Sequence, residues 1–310
     1  MRVGGINTTE RCNLSCIMCH FHGPGVIRRN RTLDPELVVK FLREIPPHQE
    51  VWLAGTGEFF MDLNAVSHLH RARAMGHRPC VLTNGQLLTS DLIDRVLEAG
   101  VRQIAVSVDA MSAGDYARIR RGGDFQRILD ACAELRARKR KCPGLRVEVN
   151  VILFNETLAR QEDFVRFWRD KADALDFRAE YFDTFKFRNT LGRPQKRVEC
   201  QVAAYLLPSG QIAPCCAMIV HQHSHDLPWL PHIRDCTVTA AYESLRAMYA
   251  DPGSPLSQLC RGCEWWIQFV RNADGTTPYS RHVSFEPVSP PKLRQRVKAL
   301  LTRLGLGDCA

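Results

Sequence analysis

Arg11-Cys12-Asn13-Leu14-Ser15-Cys16-Ile17-Met18-Cys19-His20 places three cysteines within eight positions, directly after an apolar run at residues 2–8 that reads as a strand. Structural zinc takes four protein ligands in a tetrahedron, whereas three ligands leave one coordination position free. Four-iron clusters are held by cysteine thiolates, so three cysteines hold three irons and leave the fourth open to an exogenous ligand. A loop at the C-terminal end of the first strand is also where α/β folds place their active sites. The stretch therefore predicts an α/β chain with an open metal centre at the top of its first strand.

Bulk properties agree with that reading. With 310 residues and 45% hydrophobic content, the chain can bury a domain of about 200 residues and a smaller one beside it, and needs no disulfide or metal merely to fold. The 42 basic and 33 acidic residues leave +9, a weak indication of an anionic partner. Residues 1–10 lack the apolar run of a signal peptide, and no window approaches the length of a membrane span. A soluble cytoplasmic protein with no membrane partner is expected. There, the 13 cysteines are metal ligands, core fillers or catalytic thiols rather than disulfides.

Strand-like runs at 2–8, 51–54, 79–83, 103–108, 145–153 and 176–182 alternate with helical patterns, which predicts βα units and a parallel sheet, as a barrel or an open layer. Asp34-Pro35 offers an N-cap and a first-turn proline to a helix with Leu37, Val38, Phe41, Leu42 and Ile45 on one face. Residues 90–99, stopped by Gly100, and 124–138 read as two more helices. Buried parallel strands are usually apolar on both faces, yet two of these alternate. Val147, Val149 and Val151 oppose Arg146, Glu148 and Asn150, and Ser107 and Asp109 oppose Ile104, Val106 and Val108. Such faces predict a polar-lined cavity.

From about residue 195 the βα rhythm stops, and a second, smaller unit is expected over 195–285. It contains Cys200, Cys215, Cys216, Cys236, Cys260 and Cys263, together with the alternating His221, His223 and His225. After a proline-rich joint, Leu293, Val297, Leu300, Leu301 and Leu304 form one stripe of an amphipathic C-terminal helix within 286–310.

Cys12-x3-Cys16-x2-Cys19 resembles the defining motif of the radical S-adenosylmethionine enzymes. Ala54-Gly55-Thr56-Gly57-Glu58 resembles the family's Gly-Gly-Glu segment, and Thr83-Asn84-Gly85, Ser107-Val108-Asp109 and Ile119-Arg120-Arg121-Gly122-Gly123 resemble its third- and fourth-strand signatures. Met18 departs from the aromatic usual before the third cysteine. The resemblance implies a partial (β/α)6 TIM-like barrel over residues 1–190, with a 4Fe-4S cluster on Cys12, Cys16 and Cys19. It also implies bound S-adenosyl-L-methionine, whose amino group meets the backbone of the Gly55, Gly57 and Glu58 segment. In that family an electron from the cluster cleaves the sulfonium, and a 5′-deoxyadenosyl radical takes hydrogen from the substrate. Ser107, Glu148 and Asn150 are the candidates for the cofactor's ribose and methionine ends.

Cys200, Cys215, Cys260 and Cys263 resemble the "twitch" form of the SPASM extension. That likeness implies an auxiliary 4Fe-4S cluster; structural zinc on the same thiolates, and Cys216 in place of Cys215, remain open. Twitch enzymes of this size resemble those that act on aminocyclitols and aminosugars, which implies a small-molecule sugar substrate, no nucleic acid, and an external donor of flavodoxin or ferredoxin type. Asp109, Glu148, Glu180 and Asp183 are candidate carboxylates for a cationic aminosugar. A peptide-modifying enzyme stays open. An epimerase must return hydrogen from a thiol where a dehydrogenase need not, and the spare cysteines favour an epimerase with Cys236 as donor, then Cys216.

Overall fold

In a computed structural model, residues 1–153, 157, 159–179, 201–216, 218–219, 227–262 and 280–285 are described. Six strands run in chain order: β1 Val3–Asn7, β2 Glu50–Ala54, β3 Arg78–Thr83, β4 Gln103–Ser107, β5 Arg146–Leu153 and β6 Ala174–Ala179. Each pairs in parallel with the next. Helices α1 Pro35–Glu44, α2 Ala65–Ala74, α3 Ser90–Glu98, α4 Ala113–Ile119, α5 Phe125–Arg138 and α6 Gln161–Trp168 occupy the crossovers. Sequential parallel strands joined by helices give a mixed α/β, partial TIM-like barrel, with one sheet face packed and the other concave.

Side-chain alternation shows which face is which. Val51, Leu53, Val81, Ile104, Val106, Val147, Val149 and Val151 are fully buried in one continuous core with the helices. Trp52, Ala54, Ser107 and Asn150 line the concave side. Helix α1 shows how the sequence builds the packed layer. The Asp34 carboxylate accepts from the Glu36 amide at 3.0 Å, and Leu37, Val38, Phe41 and Leu42 are buried. Each such side chain contributes about 1.5–3 kcal/mol on leaving water. Cys132 on α5 is fully buried in the same core.

The chain after residue 200 does not stand apart. Strand β7, Ala204–Leu206, adds in parallel beside β1 and turns back into β8, Ile212–Ala213. At the other edge β9, Ser280–Ser284, pairs antiparallel with β6, making nine strands among the described residues. Helix α7, Val238–Ala250, buries Val238, Ala241 and Leu245 in the common core and is followed by α8, Pro255–Gly262. Glu44 of α1 accepts the Val238 amide at 2.8 Å. The expected sixth strand begins two residues earlier than read, and its continuation to 182 lies outside the described residues, as do the 286–310 helix and the three alternating histidines. Among the described residues, no helix is long and apolar enough to cross a membrane.

Candidate active site

The cysteine loop is anchored at both sides of β1's end. The Thr8 amide donates to the Ala54 carbonyl at 2.9 Å, and the Leu33 amide to the Thr8 carbonyl at 2.7 Å. Buried Glu10 is paired with Arg31 at 2.5 Å. Ser15–Cys16 forms a two-residue antiparallel ladder with Arg120–Arg121, which ties the loop to the segment after α4. Leu14, Cys16, Met18 and Ile119 make a small apolar cluster beneath it.

The backbone after β2 presses against this loop. The Gly57 amide donates to Thr9 at 3.1 Å and the Glu58 amide to Arg11 at 2.7 Å. A Cβ on Gly57 would lie 2.0 Å from the Arg11 carbonyl oxygen, and one on Gly55 2.8 Å from that of Thr9. Only glycine permits this approach. Glu58, expected beside the cofactor, is 2% exposed. Its carboxylate accepts from the Thr83 hydroxyl at 2.5 Å, the Asn84 amide at 2.6 Å and the Phe60 amide at 3.3 Å. Its side chain thus knots β2 to β3 and leaves the backbone of this segment to face the cavity. Burial pushes its carboxyl above the usual range against those three donors.

Each thiol of the loop has a donor. The Leu14 amide points to the Cys12 sulfur and the Phe21 amide to that of Cys19, both at 3.4 Å. Asn84 Nδ2 lies 3.9 Å from Cys12 Sγ and Arg120 Nη1 3.9 Å from Cys16 Sγ. Burial pushes Cys12 up to about 11 and Cys16 up to about 12, and raises Cys19 as well. Among the described residues, no three His, Cys, Asp or Glu side chains converge on a point for a single ion. Thiolates that bind separate irons of one cluster need no such convergence, and donors aimed at their sulfurs suit ligands that must be negatively charged. The donor set therefore fits a four-iron cluster.

Arg120 belongs to the 119–123 segment already noted in the sequence, but its partner was not legible there. Its guanidinium is buried, 2.5 Å from Asp109 Oδ2, while Nε donates to the Val108 carbonyl at 3.1 Å. Asp109 has a left-handed backbone, φ 60°, and its Oδ1 accepts the Ile152 amide at 2.6 Å. Its carboxylate is therefore spent inside the fold, where burial raises its carboxyl above the usual range. It does not face a substrate amine. No signal in a single sequence pairs residues 109 and 120.

The three thiols line a cavity of about 550 Å³ together with Gly55, Gly57, Ser107, Asn150 and Arg178. Glu148, expected at the cofactor, lies elsewhere: its carboxylate sits 3.4 Å from His282 of β9 and 3.8 Å from Arg146. It shares the face of Asn150 but lies nearer the strand's start, where β9 covers it. The two spare thiols separate. Cys216 lines the cavity. Cys236, the preferred donor, points to the His232 carbonyl at 3.5 Å and has Lys40 and Glu44 of α1 as its charged neighbours, on the helical side of the sheet. Cys215 and Cys260 are partly buried against the main core. Cys200, Cys263, Glu180 and Asp183 lie outside the described residues.

A half-open α/β barrel with three donor-supported thiols at the C-terminal end of its first strand defines a class of enzyme that keeps an iron-sulfur cluster beside its substrate cavity. The chain belongs to the Radical SAM superfamily, whose sequence pattern matches residues 6–167, just over half of it. Members carry a 4Fe-4S cluster and bind S-adenosylmethionine. Among curated relatives, a GTP 3',8-cyclase of Lactiplantibacillus plantarum is 26% identical over 200 residues, 62% of this chain and 56% of that protein. One of Geobacter sulfurreducens is 30% identical over 132 residues, 41% of this chain and 40% of that protein. The chain thus spans about half the length of the curated relatives it matches. Native anSMEcpe with bound AdoMet and Kp18Cys peptide aligns over 96% of this chain and 97% of its own with a TM-score of 0.61 at 14% identity. Streptococcus suis SuiB bound to S-adenosylmethionine aligns over 76% and 62% with a TM-score of 0.57 at 12% identity. Likeness at such identities concerns the fold.

Proposed function

We propose that this radical SAM enzyme removes a hydrogen atom from a carbon of a small, hydroxyl-rich substrate and returns one from Cys216, inverting that carbon. When bound, the cluster on Cys12, Cys16 and Cys19 supplies the electron that cleaves S-adenosylmethionine and so generates the hydrogen-abstracting radical. The chain's own residues do the rest. The backbone at Gly55 and Gly57 offers polar groups where no side chain intrudes, and Ser107 and Asn150 present neutral hydrogen-bonding groups in the lining of the same cavity. Glycines that admit no Cβ bring the loop after β2 against the cysteine loop.

The observation that carries this reading is the presence of Cys216 in the lining of the cavity that the three cluster thiols also line. A thiol there can give its hydrogen to a carbon radical: the C–H bond forms as S–H breaks. A low-potential one-electron carrier and a proton then restore the thiol. Asp109 and Glu148 are committed to Arg120 and His282, so among the described residues they offer nothing to a cationic amine. The reading therefore rests on hydroxyl recognition of a sugar or cyclitol. The cyclase relatives are matched over only 40–56% of their own length, which leaves the substrate of this chain to its own cavity. The reading keeps residues 195–285 as a twitch unit with an auxiliary cluster on Cys200, Cys215, Cys260 and Cys263, flavodoxin or ferredoxin as donor, and the aminocyclitol enzymes as the nearest chemical analogy.

The test is turnover of candidate cyclitols and sugars in deuterium oxide. An isomeric product with one solvent deuterium, lost in Cys216→Ala while 5′-deoxyadenosine still forms, is expected. A product two hydrogens lighter would establish a dehydrogenase instead.

A further inference from the structure

β1 carries two adjacent glycines, Gly4 and Gly5, and a glycine inside a strand marks a place where another group comes close. The group is Tyr205. A Cβ on Gly4 would lie 2.2–2.4 Å from three atoms of its ring, so the ring occupies the space a side chain would fill. Strand pairing fixes Tyr205 further, since it faces Gly5 across the parallel β1–β7 ladder and Ala213 across the antiparallel β7–β8 ladder. Three residues beyond Ala213 the chain reaches Cys216, and the Tyr205 side chain is hydrogen-bonded to the Cys216 side chain. Both residues line the cavity that holds Cys12, Cys16 and Cys19.

We propose that Tyr205, seated on Gly4, is the positioning residue that aims the Cys216 thiol into the cavity. The inference rests on Cys216 as hydrogen donor and adds what gives that donor its direction. A cysteine side chain swings about one bond among three staggered positions, whereas hydrogen transfer needs the sulfur close to the radical carbon on one face. Cys216 follows the β7–β8 hairpin and stands at the start of a helical turn, which fixes its backbone but leaves the rotation of its thiol open. The phenol hydroxyl is held by a ring that cannot move toward β1. It removes no hydrogen and takes up no electron; transfer from sulfur to carbon balances as described above, with the low-potential carrier restoring the thiol.

Two measurements test it. In the holoenzyme, iodoacetamide labelling followed peptide by peptide should alkylate Cys216 about fivefold faster in Tyr205→Phe than in the wild type, the size of one neutral hydrogen bond. Cys236, on the other side of the sheet, should label at an unchanged rate and serves as internal reference. In deuterium oxide with a turned-over cyclitol or sugar, Tyr205→Phe should form 5′-deoxyadenosine at the wild-type rate but yield about fivefold less deuterated product for each one formed. A merely structural tyrosine would move neither ratio. If the Phe variant does not fold, 3,5-difluorotyrosine incorporation keeps the ring and alters the hydroxyl, and the same two ratios are read. Equal labelling and equal coupling in wild type and variant would overturn the proposal while leaving Cys216 as donor. Retention of solvent deuterium in Cys216→Ala would instead sink the donor reading, and a labelling change at Cys216 would then report the contact alone.

Discussion

The loop of residues 9–23 and the segment after residue 200 both concentrate cysteine, yet they organise it differently. In the first, three thiols on one short turn face one cavity, each with an N–H donor, and the surrounding glycines leave no space for adjustment. In the second, the described thiols have different surroundings: Cys216 lines the cavity, Cys215 and Cys260 pack against the core, and Cys236 faces helix α1. Ligands carried on one turn are placed by that turn. Ligands carried on separate elements are placed by the whole fold.

Three experiments bear on that difference. The largest effect belongs to joint replacement of Cys12, Cys16 and Cys19 by Ala. Reductive cleavage of S-adenosylmethionine should fall below detection, with loss of about four irons per chain and an unchanged circular dichroism spectrum. Iron retained in that variant measures what the second region holds by itself. If it still produced 5′-deoxyadenosine, the loop would not be the site.

A smaller effect should follow Arg120→Gln, which strips the buried partner from Asp109 and a donor from Cys16. Breaking a buried pair costs about 3–5 kcal/mol, read as a lower midpoint in urea for the metal-free protein. An unchanged midpoint would show that the loop is held without it.

The smallest and most graded effect concerns pH. Burial raises Cys12 to about 11 and Cys16 to about 12 in the metal-free fold, so both are protonated at neutral pH and must lose protons to bind iron. Below those values each rise of one pH unit multiplies the thiolate fraction by about ten per thiol. Cluster reconstitution should therefore be faster at pH 8.5 than at pH 7. A rate that stays level or falls over that interval would show that the thiols are already ionised.

The same contrast explains what was legible in the sequence. The six barrel strands could be read because each is an apolar run between breakers, and α1 because Asp34-Pro35 and a leucine-rich face announce it. Helix α2 escaped notice since the face it buries is Ala65, His68, Leu69 and Ala72, only one of them large and apolar. Alternation in β5 told correctly that Glu148 and Asn150 share a face, but periodicity carries no depth. Whether a polar residue lies at the mouth or under a neighbouring strand depends on β9, more than 130 positions away. The sequence favours Cys236 over Cys216 because Cys216 adjoins a candidate cluster ligand, and a chain position says nothing about which side of a sheet a later turn emerges on. The pair Gly4-Gly5 was a usable sign of close approach at β1, and Tyr205 is what approaches.

Both outer strands of the nine-stranded sheet come from the second half of the chain, β7 and β8 on one side and β9 on the other. A nascent chain that has just completed β6 therefore carries a parallel sheet with unpaired backbone along both borders. The border at β6 stays so until Ser280–Ser284 has emerged, about 100 residues later. At roughly 5–20 residues per second that interval lasts about 5–20 s, long enough for an open strand to meet another chain on the same messenger. Such a protein is expected to demand widely spaced initiation, so that few nascent chains share a messenger, and a holdase at the ribosome exit, whatever its stability once complete.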